Sequence, residues 1–224
     1  MISSLLEISG PVMVGPSSSH TAGALKLGQF ARAFLGERPK KVEIYLHGSF
    51  GTVYKGHATD RAIVAGLLSM APSDENIKNS FEKAKEKKME FKFIPCSLGI
   101  GFHPNTAKIV MHRNGDSFSV TGSSIGGGAI KITEINDFEV NIKDSMGSTF
   151  IIIIMHKDSK EGLNKLISSL STKNNNIVSV HSVRIKKNGE AMTTIETDEK
   201  IPYETLKKIK EDNSHIHSIF ETNI

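Results

Sequence analysis

"NIKDSMGSTFIIIIMHK", Asn141 to Lys157, is where the pattern of this chain changes. Before it, short alternating segments follow one another across tight turns. After it, strands and helices alternate in a fixed order. Thr149–His156 is an apolar strand, and its run "FIIIIM" is far too short to span a bilayer. In the helix that follows, Leu163, Leu166, Ile167 and Leu170 recur at i, i+3, i+4 and i+7. Two strands, Ile177–Lys187 and Ala191–Thr197, surround a "KKNGE" turn. A helix starts at Pro202, where proline suits the first turn, with Leu206 and Ile209 inward. Ile216–Phe220 is a last strand. The order β-α-β-β-α-β is that of a ferredoxin-like unit. The fold class is therefore α+β, with a mixed α/β domain over residues 1–146 and a ferredoxin-like domain over 147–224.

Toward the N-terminus, Ala24–Leu35 reads as a helix with Ala24, Leu27, Ala31 and Phe34/Leu35 on one face. Gly36 takes the C-terminal cap position and Pro39 follows soon after. "KVEIYLH" (Lys41–His47) alternates as a strand. Thr59–Met70 is a second helix, ended by Pro72, and Asn76–Lys88 a third, polar and lysine-rich. Met89–Pro95, Ala107–Arg113, Ser117–Ile125 and Ala129–Ile135 are strand-like, with "NGD" marking a hairpin between the second and third.

Composition narrows the function classes. The chain has 224 residues, 23% of them charged and 38% hydrophobic, as in an ordinary globular protein able to bury its own core. The net charge is only +4, with lysines spread along amphipathic segments. Basic nucleic-acid binders cluster their charge on one face, so no nucleic acid is expected as partner. "MISSLLEISG" lacks the basic start and long apolar run of a secretory leader. With one cysteine no internal disulfide can form, which fits a reducing cytoplasm. The same count excludes a multi-cysteine metal site built from this chain alone.

Four stretches concentrate chemistry-bearing side chains in loops, where binding and catalytic groups gather. "GPSSSHTAGA" (Gly15–Ala24) sets Ser17, Ser18, Ser19, His20 and Thr21 before a helix. Free amides and the helix dipole there favour an anion, hydroxyls add donors, and His20 adds a proton that moves near neutral pH. A serine-rich capping loop with a surface histidine is the alternative. "GSFGTVYKGHATD" (Gly48–Asp60) carries His57 just before a helix that Thr59 or Asp60 caps; Asp60 either orients the histidine or only caps. "GIGFHPNTA" (Gly99–Ala107) holds His103 in an extended or turn conformation before proline, with Asn105 and Thr106 beside it. "SSIGGGAI" (Ser123–Ile130) has Gly126, Gly127 and Gly128, which let a ligand or another polypeptide approach, or simply form a flexible hairpin. His47 and His112 belong to strands and read as structural. Cys96 reads as a small packing residue rather than a nucleophile.

Together, "SGPVMVGPSSSHTAGALKLG", "GSFGTVYKGHATDRAIVAGLL", "HPNTAKIVMH" and "SSIGGGAIKITEIN" resemble the β chain of the two-chain, iron–sulfur-dependent bacterial L-serine dehydratases, from about Ile8 to Phe138. The remainder resembles an ACT domain through "HKDSKEGLNKL" and "NIVSVHSVRIKKNGEAMTTIETDEKI". The resemblance implies a lyase that removes water from L-serine, the aminoacrylate then giving pyruvate and ammonia. It implies a [4Fe–4S] cluster acting as Lewis acid, ligated by a partner α chain and not by this one, and no pyridoxal phosphate. It implies no metal ligand here, no membrane, and a cytoplasmic heteromer.

By the same resemblance His57 and His103 are the catalytic residues, facing the cluster across the subunit interface. Ser17, Ser18, Ser19, His20 and Thr21 grip the substrate carboxylate, with Thr59, Asp60, Asn105, Gly126, Gly127 and Gly128 completing substrate binding. In one respect the sequence departs from the pattern. ACT domains usually carry D-x-P-G after the first strand; "DSKEG" (Asp158–Gly162) has no proline and one extra residue. Asp158 and Gly162 are the regulatory candidates there, and self-association through edge strands is the other role for such a domain. The competing reading is a stand-alone amino-acid sensor, since the N-terminal part also resembles allosteric substrate-binding domains.

Overall fold

Two separate sheets organise the chain. The structure, a computed structural model, describes residues 15, 17–144, 149–159, 161–171 and 175–222. One compact unit takes in the described residues up to Asn136 with Asn141–Asp144; the other takes in Asp137–Val140 and the described residues from Thr149 onward. The boundary expected near residue 146 lies outside the described residues.

In the first unit a π-helical turn, Ser18–Gly23, runs directly into α1, Ala24–Leu35. Strand β1, Lys41–His47, leads to the short helix α2, Gly48–Val53, and then to α3, Thr59–Leu67. After a 3-10 turn, Glu75–Asn79, come α4, Ser80–Glu86, and β2, Glu90–Cys96. Strands β3, Thr106–Arg113, β4, Asp116–Gly126, β5, Ala129–Ile135, and β6, Phe138–Lys143, follow as a meander, the first residues of β6 being grouped with the second unit. The sheet order is β2-β1-β3-β4-β5-β6. Only β1 and β2 pair in parallel among the registered pairs, Lys41 opposite Glu90 and His47 opposite Cys96. A parallel pair cannot be joined by a hairpin, and the helical crossover through α2, α3 and α4 supplies the long connection. The "NGD" turn is as expected, with Asn114 and Gly115 at positive φ.

Helix α1 is buried on more than the one expected face, because it lies between the sheet and α3. Leu25, Phe30 and Gly28 are buried with Ala24, Leu27, Ala31, Phe34 and Leu35. Leu27 reaches Gly122 of β4, where a Cβ would sit 2.7 Å from both Leu27 Cδ2 and Ile132 Cδ1. On its other side α1 touches α3 backbone to backbone. A Cβ on Gly28 would collide with the carbonyl of Ile63, and one on Gly66 with the carbonyl of Leu25. The Lys26 ammonium pairs at 2.5 Å with Asp144, whose side chain is fully buried, and so ties α1 to the residue after β6.

Two expected helices are shorter than their sequence patterns. The segment Thr59–Met70 stops being helical at Leu67, where Ser69 turns left-handed and its N–H closes on the Gly66 carbonyl. The segment Asn76–Lys88 breaks at Asn79, because the Asp74 carboxylate caps the amide of Asn76 and starts a separate 3-10 turn.

The second unit contains β7, Phe150–Lys157, α5, Gly162–Leu170, β8, Ile177–Arg184, β9, Glu190–Thr197, α6, Tyr203–Asp212, and β10, Ile216–Thr222. The sheet is antiparallel in the order β10-β7-β9-β8. Ile152, Ile154, Ile195, Ile216, Leu166, Leu170, Leu206 and Ile209 form its core. Leu163 packs at the margin, while Ile167, expected inward, is only half-buried. Pro202 caps α6 in an extended conformation instead of joining it.

The glycine crossing gives a direct test. Gly66→Ala in the full chain should lower unfolding stability by about 1–3 kcal/mol or more, since backbone atoms must part to admit the methyl group. Gly36→Ala meets nothing within 4 Å and costs only its left-handed φ of 80°, about 1 kcal/mol. Urea denaturation followed by circular dichroism orders the two variants, and equal losses would contradict the backbone contact.

Candidate functional site

Three of the four hydroxyls in the Ser17–Thr21 segment are already engaged inside the protein. Ser17, in extended conformation, accepts the His20 amide proton on its Oγ at 3.1 Å. Ser19 Oγ lies 3.1 Å from His20 Nδ1 and 3.4 Å from Ser17 Oγ. Thr21, buried, donates its hydroxyl to the carbonyl of His57 at 3.2 Å. Ser18 is the one whose side chain has no hydrogen bond among the described residues. The helix start is wider than the α-helical turn expected there. The π-turn directs His20 away from α1 and toward α2, and such bulges recur at functional sites.

The ring of His20 is held from several sides. Its Nε2 is 3.0 Å from Ser49 Oγ, at the start of α2. Phe50, fully buried, meets the ring edge-on at 5.4 Å between centroids, and the His57 ring lies tilted at 5.0 Å. Burial lowers the His20 pKa from the ordinary imidazole value, and the neighbouring His57 lowers it further. The shift favours the neutral ring, which has one bare nitrogen and one N–H, each beside a hydroxyl. His57 is exposed on its other side.

The remaining loops join this pair through backbone contacts. Gly48 has φ 58°, and a Cβ there would sit 2.7 Å from the Pro104 carbonyl oxygen. The Phe50 amide donates to that same carbonyl at 3.3 Å. The Asn105 carbonyl accepts from Ser124 N–H at 3.0 Å, and Ser124 in turn packs against Gly23, where a Cβ would collide with its Oγ. The four stretches singled out in the sequence therefore close into one ring: π-turn, α2, the His103 loop and the end of β4. His103 itself is exposed. Its Nδ1 accepts from Asn105 N–H at 3.1 Å, and its carbonyl accepts from Thr106 Oγ1 at 2.6 Å, beside a buried Thr106–Ser123 hydroxyl pair at 2.7 Å. Among the described residues no hydrogen bond or ring contact joins His103 to His20 or His57.

Thr59 and Asp60 do not play the expected capping role. The cap residue of α3 is Ala58, forced to φ 57°, with no side-chain cap. Among the described residues the buried Thr59 Oγ1 has no hydrogen-bond partner. Asp60 accepts from the Arg61 amide at 2.8 Å, and burial raises its pKa; among the described residues it makes no hydrogen bond to His57. Gly126, Gly127 and Gly128 all have positive φ, so the hairpin between β4 and β5 already requires glycine, and open space surrounds Gly126. His47, at the end of β1, accepts the Leu98 amide proton on Nδ1 at 3.1 Å and so holds the following loop. His112 lies within β3 with its Nε2 buried, and Cys96 is half-exposed. Ser49 is the residue sequence reasoning missed; its only signal is a hydroxyl directly after the left-handed Gly48.

In the second unit, Asp158 accepts from Arg184 at 2.8 Å and from the Asn188 amide at 3.0 Å. The amide bond first and Arg184 second hold its pKa below the ordinary carboxylate value. Gly162 has no room for a Cβ beside Ser159 Oγ. Among the described residues no group of three His, Cys, Asp or Glu could hold a metal ion. An iron–sulfur cluster, which needs several thiolates, does not fit a chain with Cys96 alone. No helix among the described residues is long and apolar enough to cross a membrane.

Residues 4–135 match the family described as "Serine dehydratase beta chain". The chain is 41% identical over 206 residues to the "L-serine dehydratase, beta chain" of Peptoniphilus asaccharolyticus, covering 91% of this chain and 90% of that protein. It is 37% identical over 206 residues to the "Probable L-serine dehydratase, beta chain" of Bacillus subtilis, 92% of each. An "L-serine dehydratase" of Haemophilus influenzae is 30% identical over 149 residues, 53% of this chain and 31% of that protein.

The His20 environment predicts its titration. A histidine-selective 1H–15N titration should place the His20 midpoint below about 6.5, the ordinary imidazole value. Replacing His57 by Gln should raise it only part of the way, because burial is the larger cause. The neutral form is the one the fold favours. Its stabilisation is therefore present above the unfolded midpoint and lost as pH falls through the lower folded one.

Proposed function

Because this chain belongs to the serine dehydratase beta chain family, we propose that it is the β subunit of an L-serine dehydratase, converting L-serine to pyruvate and ammonia. The observation that carries the proposal is the closed ring of loops around His20 and His57. It lies in a chain that is like named β chains over nine-tenths of its length. Removal of the α-proton and departure of the β-hydroxyl leave aminoacrylate, which tautomerises and takes up water to give pyruvate and ammonia. His57 and His103, both exposed at loop tips, are placed to exchange protons with a substrate bound against a second chain. Ser18, with its hydroxyl uncommitted, is the first contact for the substrate carboxylate, with Ser17, Ser19, His20 and Thr21 shaping the turn behind it. Thr59, Asp60 and Asn105 complete substrate binding in this reading, and the open space at Gly126 in the Gly126–Gly128 hairpin receives the partner or the substrate.

That partner is an α chain, and it, not this chain, ligates the [4Fe–4S] cluster; pyridoxal phosphate is not used. Residues 1–146 form the β-chain domain. Residues 147–224 form an ACT domain, a reading supported by the β-α-β-β-α-β order and the strand order β10-β7-β9-β8. With Asp158 already engaged by Arg184 and Asn188, assembly through the exposed edge strand β8 is favoured for this domain over binding of an amino acid. The complex works in the cytoplasm.

Anaerobic co-purification with the α partner should yield a complex that forms pyruvate from L-serine, while this chain alone forms none. His57→Ala and His103→Ala should each cut turnover by about 100-fold or more without dissociating the complex. A cluster-loaded complex that makes no pyruvate would reject the reading. Calorimetry showing tight serine binding by this chain alone would then turn it toward an amino-acid sensor.

A further inference from the structure

We propose that Ser49 is the positioning residue for His20, locking its imidazole in one rotamer and one tautomer at the mouth of the dehydratase site. The inference rests on the reading that His20 belongs to that site. Its basis is geometric. Ser19 and Ser49 lie at opposite nitrogens of the ring, 3.1 Å from Nδ1 and 3.0 Å from Nε2. Ser19 is adjacent in sequence and moves with the histidine. Ser49 belongs to another element, 29 residues away, and so supplies the fixed reference.

The backbone shows that this reference is rigid. Ser49 sits between Gly48, left-handed against Pro104, and Phe50, whose amide is bound to the Pro104 carbonyl and whose ring is fully buried against His20. Gly51 allows no Cβ because the Leu46 carbonyl lies 2.7 Å away. The Ser49 hydroxyl has His20 as its only hydrogen-bond partner among the described residues. A hydroxyl on a backbone fixed by two glycines and a buried phenylalanine, aimed at a ring nitrogen, fits a positioning group better than a capping serine.

Two hydrogen-bond directions satisfy this chain. In the one proposed, Ser17 Oγ, accepting the His20 amide proton, donates to Ser19 Oγ, and Ser19 Oγ donates to Nδ1. Nδ1 is then the bare nitrogen, and Nε2–H donates to Ser49 Oγ. The Ser49 proton is left at the open end of the chain as a donor for a bound ligand. His57 is the titratable side chain that faces this ring among the described residues, so its charge must be accounted for in any pH profile.

The test reads the ring directly in the full chain, without its partner. The 15N spectrum of wild type should show His20 as a single tautomer with the proton on Nε2. Ser49→Ala should mix the tautomers, moving both ring nitrogens toward average shifts and changing the titration midpoint. Ser49→Thr, which keeps the hydroxyl, should restore the wild-type pattern. In the complex with the α partner, Ser49→Ala should lower kcat about 10–100-fold with little change in KM, and Thr should recover most of it. Unchanged His20 resonances in Ser49→Ala would overturn the proposal. A disturbed ring with wild-type turnover would overturn its link to the reaction. A wild-type complex that makes no pyruvate would instead reject the underlying reading, and the ring spectra would still decide the contact.

Discussion

The site depends on a contact that contains no side chain at all. Gly28 of α1 and Gly66 of α3 meet backbone to backbone, each helix resting on carbonyl oxygens of the other. That closeness brings together the segments preceding the two helices. The π-turn before α1 carries His20, and the loop before α3 carries His57; their rings stand 5.0 Å apart and Thr21 reaches across to the His57 carbonyl. Side chains of ordinary size at the crossing would spread the helices and separate the two histidines. The same logic repeats at smaller scale at Gly48 against Pro104 and Gly23 against Ser124. The site is thus positioned by places where the chain has removed atoms.

Within that frame polar side chains do specific and separate work. Ser17, Ser19 and Thr21 look equivalent on paper, yet one caps an amide, one holds a ring nitrogen and one bridges to another loop. Each hydroxyl is committed inside the protein, and among the described residues Ser18 alone of the four hydroxyl residues makes no side-chain hydrogen bond. The same crowding lowers the His20 pKa, because the partly buried ring loses hydration when charged and, to a lesser extent, because His57 stands beside it.

Much of this was legible in the residues, and for physical reasons. Helix α1 and strands β1 and β5 end where the sequence says, because Gly36, the alternation of Lys41–His47 and the Gly127–Gly128 turn leave the backbone few alternatives. The four loop motifs were visible as clusters of glycine, hydroxyl and histidine. Their closure into one ring was not, because it runs through the carbonyls of Pro104 and Asn105, and main-chain groups leave no trace in composition. Asp60 shows the limit most clearly. Three residues from His57 it reads either as an orienting carboxylate or as a helix cap; the left-handed Ala58 between them turns the chain, and Asp60 accepts from the Arg61 amide of its own helix. Ser49 escaped notice because a serine after glycine is an ordinary turn signal.

The parallel pairing of β1 with β2 has a kinetic corollary. The meander from β3 to β6 can zip between neighbours, whereas β2 finds β1 only after a long intervening segment has coiled into helices. Closing so wide a loop costs entropy that must be met before any native pairing rewards it. The ring of loops draws on both regions, α2 from the crossover and Ser124 from the meander. Its geometry therefore requires both the long-range pairing of β1 with β2 and the local pairing of β3, β4 and β5.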